Sequence, residues 1–306
     1  MTSFLIRRIL QGIVVIVGVS IIVFFVTRVI GDPVRHMLPL EATPEEYTNL
    51  KHHLGFDRSI AAQFVDFAKS LPALDFGDSL WQRGTPARDL VLQRLPASLL
   101  LVGLGIGLAI LIAVPLGCIA ALRPGSWLDR VTVTTSLIGL SVPQFWLGLL
   151  FVLLFSVTLG WLPSSGRGGL DHAIMPALAL ALPAAGRLTQ IVRSSMIDEL
   201  GRQYIVTAQA KGMSYSYVLS RHALRNAFLP VLTLASWETI RALAGYSVVV
   251  ETVFAWPGIG WLMMQAIDHQ DVVLVQATVF VAALMVVLIN MLTDFLYTRL
   301  DPRVEY

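Results

Sequence analysis

Charged side chains inside apolar stretches are the residues of this sequence with the most chemistry to offer. Glu238 and Arg241 stand three apart in one such stretch, so a helix places them on one face, where they can pair. Arg187 lies deep in another. In lipid such charges are costly and normally face protein or a water-filled cavity. Two roles stay open for Glu238, Arg241 and Arg187: a pair joining helices, or polar positions on a solute path. Glu251 precedes Thr252-Val253-Phe254-Ala255-Trp256-Pro257-Gly258 near the end of its apolar stretch, making Glu251, Phe254, Pro257 and Gly258 a candidate outer gate or subunit contact. His36, His52 and His53 read as solvated residues ahead of metal ligands, and Cys118 is alone, so no disulfide or metal site is expected within the chain.

Several chemistries lack their motifs. There is no G-x-x-x-x-G-K-[ST] and no soluble region large enough for a nucleotide-binding domain, so any ATP hydrolysis belongs to another chain. Neither H-E-x-x-H nor G-x-S-x-G occurs, and no catalytic residue is expected. Gly103, Gly105 and Gly107 read as small residues that let helices approach closely. Of the 306 residues 56% are hydrophobic and 14% charged, against about 25% charged in soluble domains. Lipid therefore surrounds most of the chain. The net charge of +2 comes without a basic run that would point to nucleic acid.

Six stretches are long and apolar enough to span a bilayer, roughly 9–30, 96–122, 131–159, 172–196, 229–253 and 272–298. Pro143 breaks the third, and Pro115 and Pro183 are expected to bend their helices. The first stretch follows Arg7 and Arg8 but is longer than a signal-peptide core and lacks a small-residue cleavage site, so it is expected to stay as a span. The arginines and lysines set the orientation. With the N-terminus inside, the inner side receives Arg7, Arg8, Arg123, Arg130, Arg193, Arg202, Lys211, Arg221, Arg225, Arg299 and Arg303. The short outer loops hold only Arg167, which places both termini in the cytoplasm.

Two connections are long. Residues 31–95 form an outer segment in which Thr43-Pro44-Glu45-Glu46 spells a capping box with proline at the first helical position. Gly55 would end that helix; Ile60, Phe64 and Phe67 line a second, which Pro72 stops. The expected division is thus 1–30, the outer 31–95, and a five-helix core 96–306. Inside that core, residues 197–229 read as a helical hairpin turned by Lys211-Gly212-Met213-Ser214, with Gly212 as a left-handed stop and Ser214 as the next cap. It is either a surface-lying connector or a docking element for a soluble partner, and its length and order favour docking.

Tyr204-Ile205-Val206-Thr207-Ala208-Gln209-Ala210-Lys211-Gly212, then Arg221-His222-Ala223-Leu224-Arg225-Asn226-Ala227 and Pro230, resembles the cytoplasmic coupling loop of binding-protein-dependent ABC permeases. The general pattern is Glu-Ala-Ala, three residues, then Gly; here Val206, Thr207 and Ala208 precede Gly212, so the glutamate is absent. The longer interval from Gly212 to Pro230 resembles the dipeptide/oligopeptide/nickel branch. Arg7-Arg8, Gly31-Asp32-Pro33, Asp75-Phe76-Gly77-Asp78-Ser79, Gly139-Leu140-Ser141-Val142-Pro143 and Gly160-Trp161-Leu162-Pro163 add matches along nearly the whole chain.

That resemblance implies an all-α type I ABC importer permease with six transmembrane helices, in a bacterial inner membrane. It implies four partner chains: a second homologous permease, two ATP-binding subunits that hold the ATP and Mg, and an extracytoplasmic solute-binding protein. By the same resemblance Thr207, Ala208, Ala210, Lys211, Gly212, Arg221, Arg225 and Pro230 form the ATPase-coupling loop, with shape fit at Ala208, Ala210 and Gly212 and charge fit at Lys211 and Arg225. Di- or oligopeptides are the expected cargo, with nickel, glutathione or another small solute as the alternative. An ATP-independent carrier would predict internal repeats or proton-relay carboxylates, and neither is evident.

Overall fold

The computed structural model describes residues 2–26, 34, 38, 42–53 and 55–300. Gly31-Asp32-Pro33, His36, Leu54 and Arg303, and the side chains of His53 and Arg299, lie outside the described residues. Among those described, the chain is helical apart from turns and one isolated bridge, Asp78 with Pro86. In order the helices are α1 (Thr2–Phe25), α2 (Pro44–His53), α3 (Ile60–Ser70), α4 (Ala87–Leu122), α5 (Trp127–Ser141) and α6 (Gln144–Phe151). They continue as α7 (Leu170–Leu200), α8 (Gln203–Ala210), α9 (Leu224–Arg241), α10 (Ser247–Val253), α11 (Ile259–Asp268) and α12 (Val272–Leu300). π turns occupy Val152–Thr158, Val218–Ala223 and Ala242–Tyr246.

Among the described residues four helices are long and apolar enough to cross a membrane: α1, α4, α7 and α12. A fifth crossing results if the pair α5 and α6 is one broken span; it bends by 98°. Pro143 explains the break, because a residue before proline is pushed out of the helical region, and Val142 is extended at φ −88°, ψ 123°. Segment 229–253 is helical through α9, a π turn and α10, yet Glu238 and Arg241 interrupt its apolar run, and it does not meet the same measure. Helices α4 and α7 run on through Pro115, Pro176 and Pro183.

The chain divides into two compact units. The first comprises residues 1–98 and 257–288. Its outer segment contains the capping box: the Thr43 N–H donates to Glu46 Oε2 at 2.8 Å, and the Glu46 N–H returns to Thr43 Oγ1 at 3.3 Å. Helix α2 ends at Gly55, which is at φ +70°. Phe64 of α3 meets the fully buried Phe24 edge-on and Phe67 meets it at a tilt, with centroids 5.3 and 5.5 Å away. Ile60, expected on the same face, is 52% exposed, because it begins the helix, ahead of the residues that reach Phe24. Asp271, fully buried, accepts hydrogen bonds from Ser79 Oγ (2.5 Å), the Trp81 N–H (3.1 Å) and the Leu274 N–H that it caps (2.9 Å). The indole of Trp81 stacks on His269 at 4.2 Å.

The second unit comprises residues 99–256 and 289–306. Its core is rich in alanine, with Ala109, Ala113 and Ala121 of α4, Ala181, Ala184 and Ala185 of α7, and Ala227 and Ala235 of α9, packed around larger side chains such as Leu188, Val192 and Met196 of α7 and Val231 of α9. Helix α7 packs against both α5 and α9. Backbones approach so closely that a Cβ on Gly117 would lie 2.6 Å from Val192, and one on Gly186 would lie 2.7 Å from the Ser136 carbonyl. Such contacts let helices associate where no hydrophobic driving force separates protein from lipid. Of Gly103, Gly105 and Gly107, only Gly105 faces a neighbour, Leu180.

Candidate functional site

The hairpin begins where α7 ends. At about 1.5 Å per residue the 31 residues of α7 reach about 46 Å, well beyond a hydrocarbon core of about 30 Å. Past Gly201 the chain re-enters a helix at Gln203 and stops after Ala210. Gly212 has φ +78°, and the paired bonds Gly212 N–H to Gln209 O and Met213 N–H to Ala208 O close the C-terminus. Space around Gly212 is open, so the glycine is required by backbone conformation and not by a neighbour within the chain. Ser214 occupies the next cap position, but its side chain makes no capping bond; its carbonyl receives the Val218 N–H instead. The returning limb runs from Tyr215 through the π turn Val218–Ala223 into α9 without a break.

One side of the hairpin is buried and the other bare. Ile205, Ala208, Val218, Ala223 and Ala227 are buried together in the alanine core, whereas Thr207, Ala210, Lys211, Gly212, Arg221, Arg225 and Pro230 are exposed. A phenol ties the limbs. Tyr204 donates its hydroxyl to Glu199 at the end of α7 and accepts from Asn226 Nδ2 of α9 at 3.0 Å. Partial burial and the neighbouring carboxylate push the Tyr204 hydroxyl above its ordinary range.

Within the helices Arg187 of α7 makes a two-pronged bond to Glu238 of α9: Nε to Oε1 at 2.5 Å and Nη2 to Oε2 at 2.7 Å. Arg241 stands 3.6 Å from the same carboxylate. The three residues singled out from the sequence therefore form one cluster, with Arg187 as the principal partner. A second pair escaped sequence reasoning. Arg193, read as a cytoplasmic-loop charge, lies on α7 and clamps Asp129 at the start of α5 through Nε and Nη2. Asp129 also accepts the Gly125 N–H at 2.8 Å. The local clue was Ser126 followed three residues later by Asp129, a helix start with an acidic first turn.

At the predicted outer gate Glu251 and Phe254 are buried. The Glu251 carbonyl accepts the Trp256 N–H at 2.8 Å, and the Phe254 carbonyl accepts the Gly166 N–H at 2.8 Å. Ala255 between them sits at φ +45°. Pro257 and Gly258 follow, with Gly258 at the N-cap of α11 and the Ile259 N–H donating to Ser98 Oγ at 2.8 Å. Among the described residues no group of three or more His, Cys, Asp or Glu is placed to hold a metal ion.

Residues 113–306 match the family described as binding-protein-dependent transport system inner membrane component, and residues 1–101 match the N-terminal membrane component of such systems. The chain is 36% identical over 317 residues to the oligopeptide transport system permease protein AppB of Bacillus subtilis, covering all of both chains. It is 36% identical over 307 residues to the glutathione transport system permease protein GsiC of Salmonella typhi, again over all of both. A chain from inward-facing conformations of the MetNI methionine ABC transporter superposes with a TM-score of 0.58 at 20% identity, covering 69% of this chain and 96% of that one, which shows the shared fold. The protein belongs to the binding-protein-dependent transport system inner membrane component family: it is a multi-pass, non-catalytic permease subunit of an ABC importer in the bacterial inner membrane.

Proposed function

We propose that this permease carries di- or oligopeptides, pairing with a second homologous permease to form a pathway that opens alternately to each side. Two ATP-binding subunits, holding ATP and Mg, dock on the hairpin within 197–229, and an extracytoplasmic solute-binding protein delivers cargo on the side of residues 31–95. The observation that carries this is the hairpin's division of labour. Its inner face is fixed in the alanine core, while Ala210, Lys211 and Gly212 protrude with nothing in their own chain to explain them. The excess of arginine and lysine in the short loops puts that tip in the cytoplasm, where ATP is. Similarity to a peptide permease supports peptide cargo. Similarity to a glutathione permease supports the alternative of a small solute such as glutathione.

The test is purification of the assembled importer with wild-type chain and with Gly212→Trp. Co-purification of two ATPases and a second permease with the wild type, and their loss or uncoupled ATP hydrolysis with the variant, is the expected outcome. A chain that purifies alone and moves peptide into liposomes without ATP would overturn the proposal.

A further inference from the structure

The second unit contains a cleft of ≈ 540 Å³ lined by Val133 and Leu137 of α5, Leu234 of α9, and Arg187, Gln190, Ile191, Arg193 and Ser194 along one side of α7. That volume lies in the range of small-molecule sites. Its chemistry is lopsided. Arg187 and Arg193 line it, 24% and 27% exposed, while their carboxylate partners Glu238 and Asp129 are 1% and 4% exposed and do not line it. Each guanidinium spends Nε and Nη2 on its carboxylate and keeps Nη1 unused. Between the two, Gln190 makes no hydrogen bond, and its Nε2 is a buried donor without an acceptor. Native proteins rarely leave such a group unsatisfied without a functional reason. Ser194 spends its proton on the Ile191 carbonyl at 3.2 Å.

The polar strip along α7 therefore offers donors and positive charge, while Val133, Leu137, Ile191 and Leu234 make the rest of the wall apolar. We propose that this cleft is a solute subsite that takes a carboxylate or amide carbonyl of the transported molecule, with Arg187 and Arg193 supplying the hydrogen bonds and Gln190 adding one when its buried amide turns towards the cleft. The inference rests on the peptide-permease reading given above. A cleft between α5, α7 and α9 with its donors in a strip along α7 suits a peptide backbone, which presents a carbonyl at every residue and a carboxylate at one end. Charge-assisted bonds from guanidinium to carboxylate are among the strongest available to such a site. A lipid phosphate shares the acceptor chemistry, so the experiment must separate the two sources.

Cys118 is the single cysteine, so Cys118→Ser with Gln190→Cys places one thiol in the cleft. The chain is assembled with its partner subunits in liposomes of phosphatidylethanolamine and phosphatidylglycerol. Its labelling is then followed with an anionic and a cationic methanethiosulfonate, each normalised to a free thiol. The anionic reagent should react about tenfold faster, and saturating trialanine should slow it about tenfold, with trialanine amide protecting less, as loss of a charge-assisted bond requires. Ser194→Cys, on the same wall, should behave alike and serves if the first variant does not fold. Equal rates for the two reagents, or no protection by trialanine, would overturn the subsite. So would protection that disappears only when phosphatidylglycerol is omitted, which assigns the cleft to lipid. Wild-type liposomes that import trialanine while the thiol stays unprotected sink this inference alone. Wild-type liposomes that fail to import it sink the peptide reading and the subsite together.

Discussion

Replacing Arg187 with leucine isolates the energetics of the buried cluster. Glu238 is 1% exposed and is held by Arg187 at 2.5 and 2.7 Å, with Arg241 at 3.6 Å as its second cation. At an effective dielectric of about 20, unit charges about 4 Å apart attract by about 4 kcal/mol. Stripping one partner from a buried pair costs about 3–5 kcal/mol, because the remaining charge stays desolvated. Arg241 is 48% exposed and its contact is longer, so it compensates only in part. Arg187→Leu should therefore destabilise the chain by about 3 kcal/mol. Arg187→Leu with Glu238→Leu removes both charges and should return to within about 1 kcal/mol of wild type, a coupling of about 2 kcal/mol or more. The assay is reversible unfolding of the full chain in detergent–SDS mixtures. A single variant indistinguishable from wild type, or a double variant no better than the single, would refute the reasoning. Peptide uptake by the double variant then separates the two roles left open for the cluster: a structural pair predicts retained transport, and a place on the path predicts its loss.

Other consequences can be checked independently. Gly212→Val forces a β-branched residue to φ +78° and should destabilise the hairpin by about 1–2 kcal/mol, read as faster amide exchange over residues 203–218. Ala210→Trp, at an exposed position, should leave folding intact but abolish ATPase co-purification, whereas Ala208→Trp, at a buried one, should lower thermal stability as well. Because the folded-state pKa of Tyr204 is raised above 10.0, its contribution is complete below that value and is lost as pH rises through the higher folded one. Tyr204→Phe should accordingly remove part of the alkaline fall in the thermal-unfolding profile. Asp271→Ala deletes three accepted bonds, and hydrogen exchange should accelerate selectively at residues 79–82.

Legibility followed the range of the interactions. The Thr43–Glu46 box, the stop at Gly212 and the break at Pro143 are decided within a few residues, so sequence alone locates them. Ser214 marks the correct boundary but not the bond: its carbonyl takes the ordinary first helical bond from Val218, while its hydroxyl caps no backbone N–H. Arg187 with Glu238 and Arg193 with Asp129 join positions 51 and 64 residues apart, and no periodicity announces which charges will meet. Helix α4 is apolar all round, so its sequence cannot say that Gly105 would touch a neighbour while Gly103 and Gly107 would not. Glu251 and Phe254 stand out by their place near the end of an apolar stretch, but the tie of Phe254 to Gly166, 88 residues away, cannot be read there.

The alanine interior has a mechanical side. Alanine has no rotamers to interlock, so much of the seam between α7 and α9 is shallow, with Leu188, Val192 and Met196 of α7 and Val231 of α9 as the larger side chains buried along it. Sliding one past the other therefore disturbs few side-chain wells, and small shear displacements are correspondingly accessible. What sets the detents on such a slide is the few directional links that cross it: the Arg187–Glu238 clasp and, nearer the tip, the Tyr204–Asn226 bond. A push delivered at the hairpin would thus travel along α9, and the clasp, together with the larger side chains buried on the seam, would determine how far it goes.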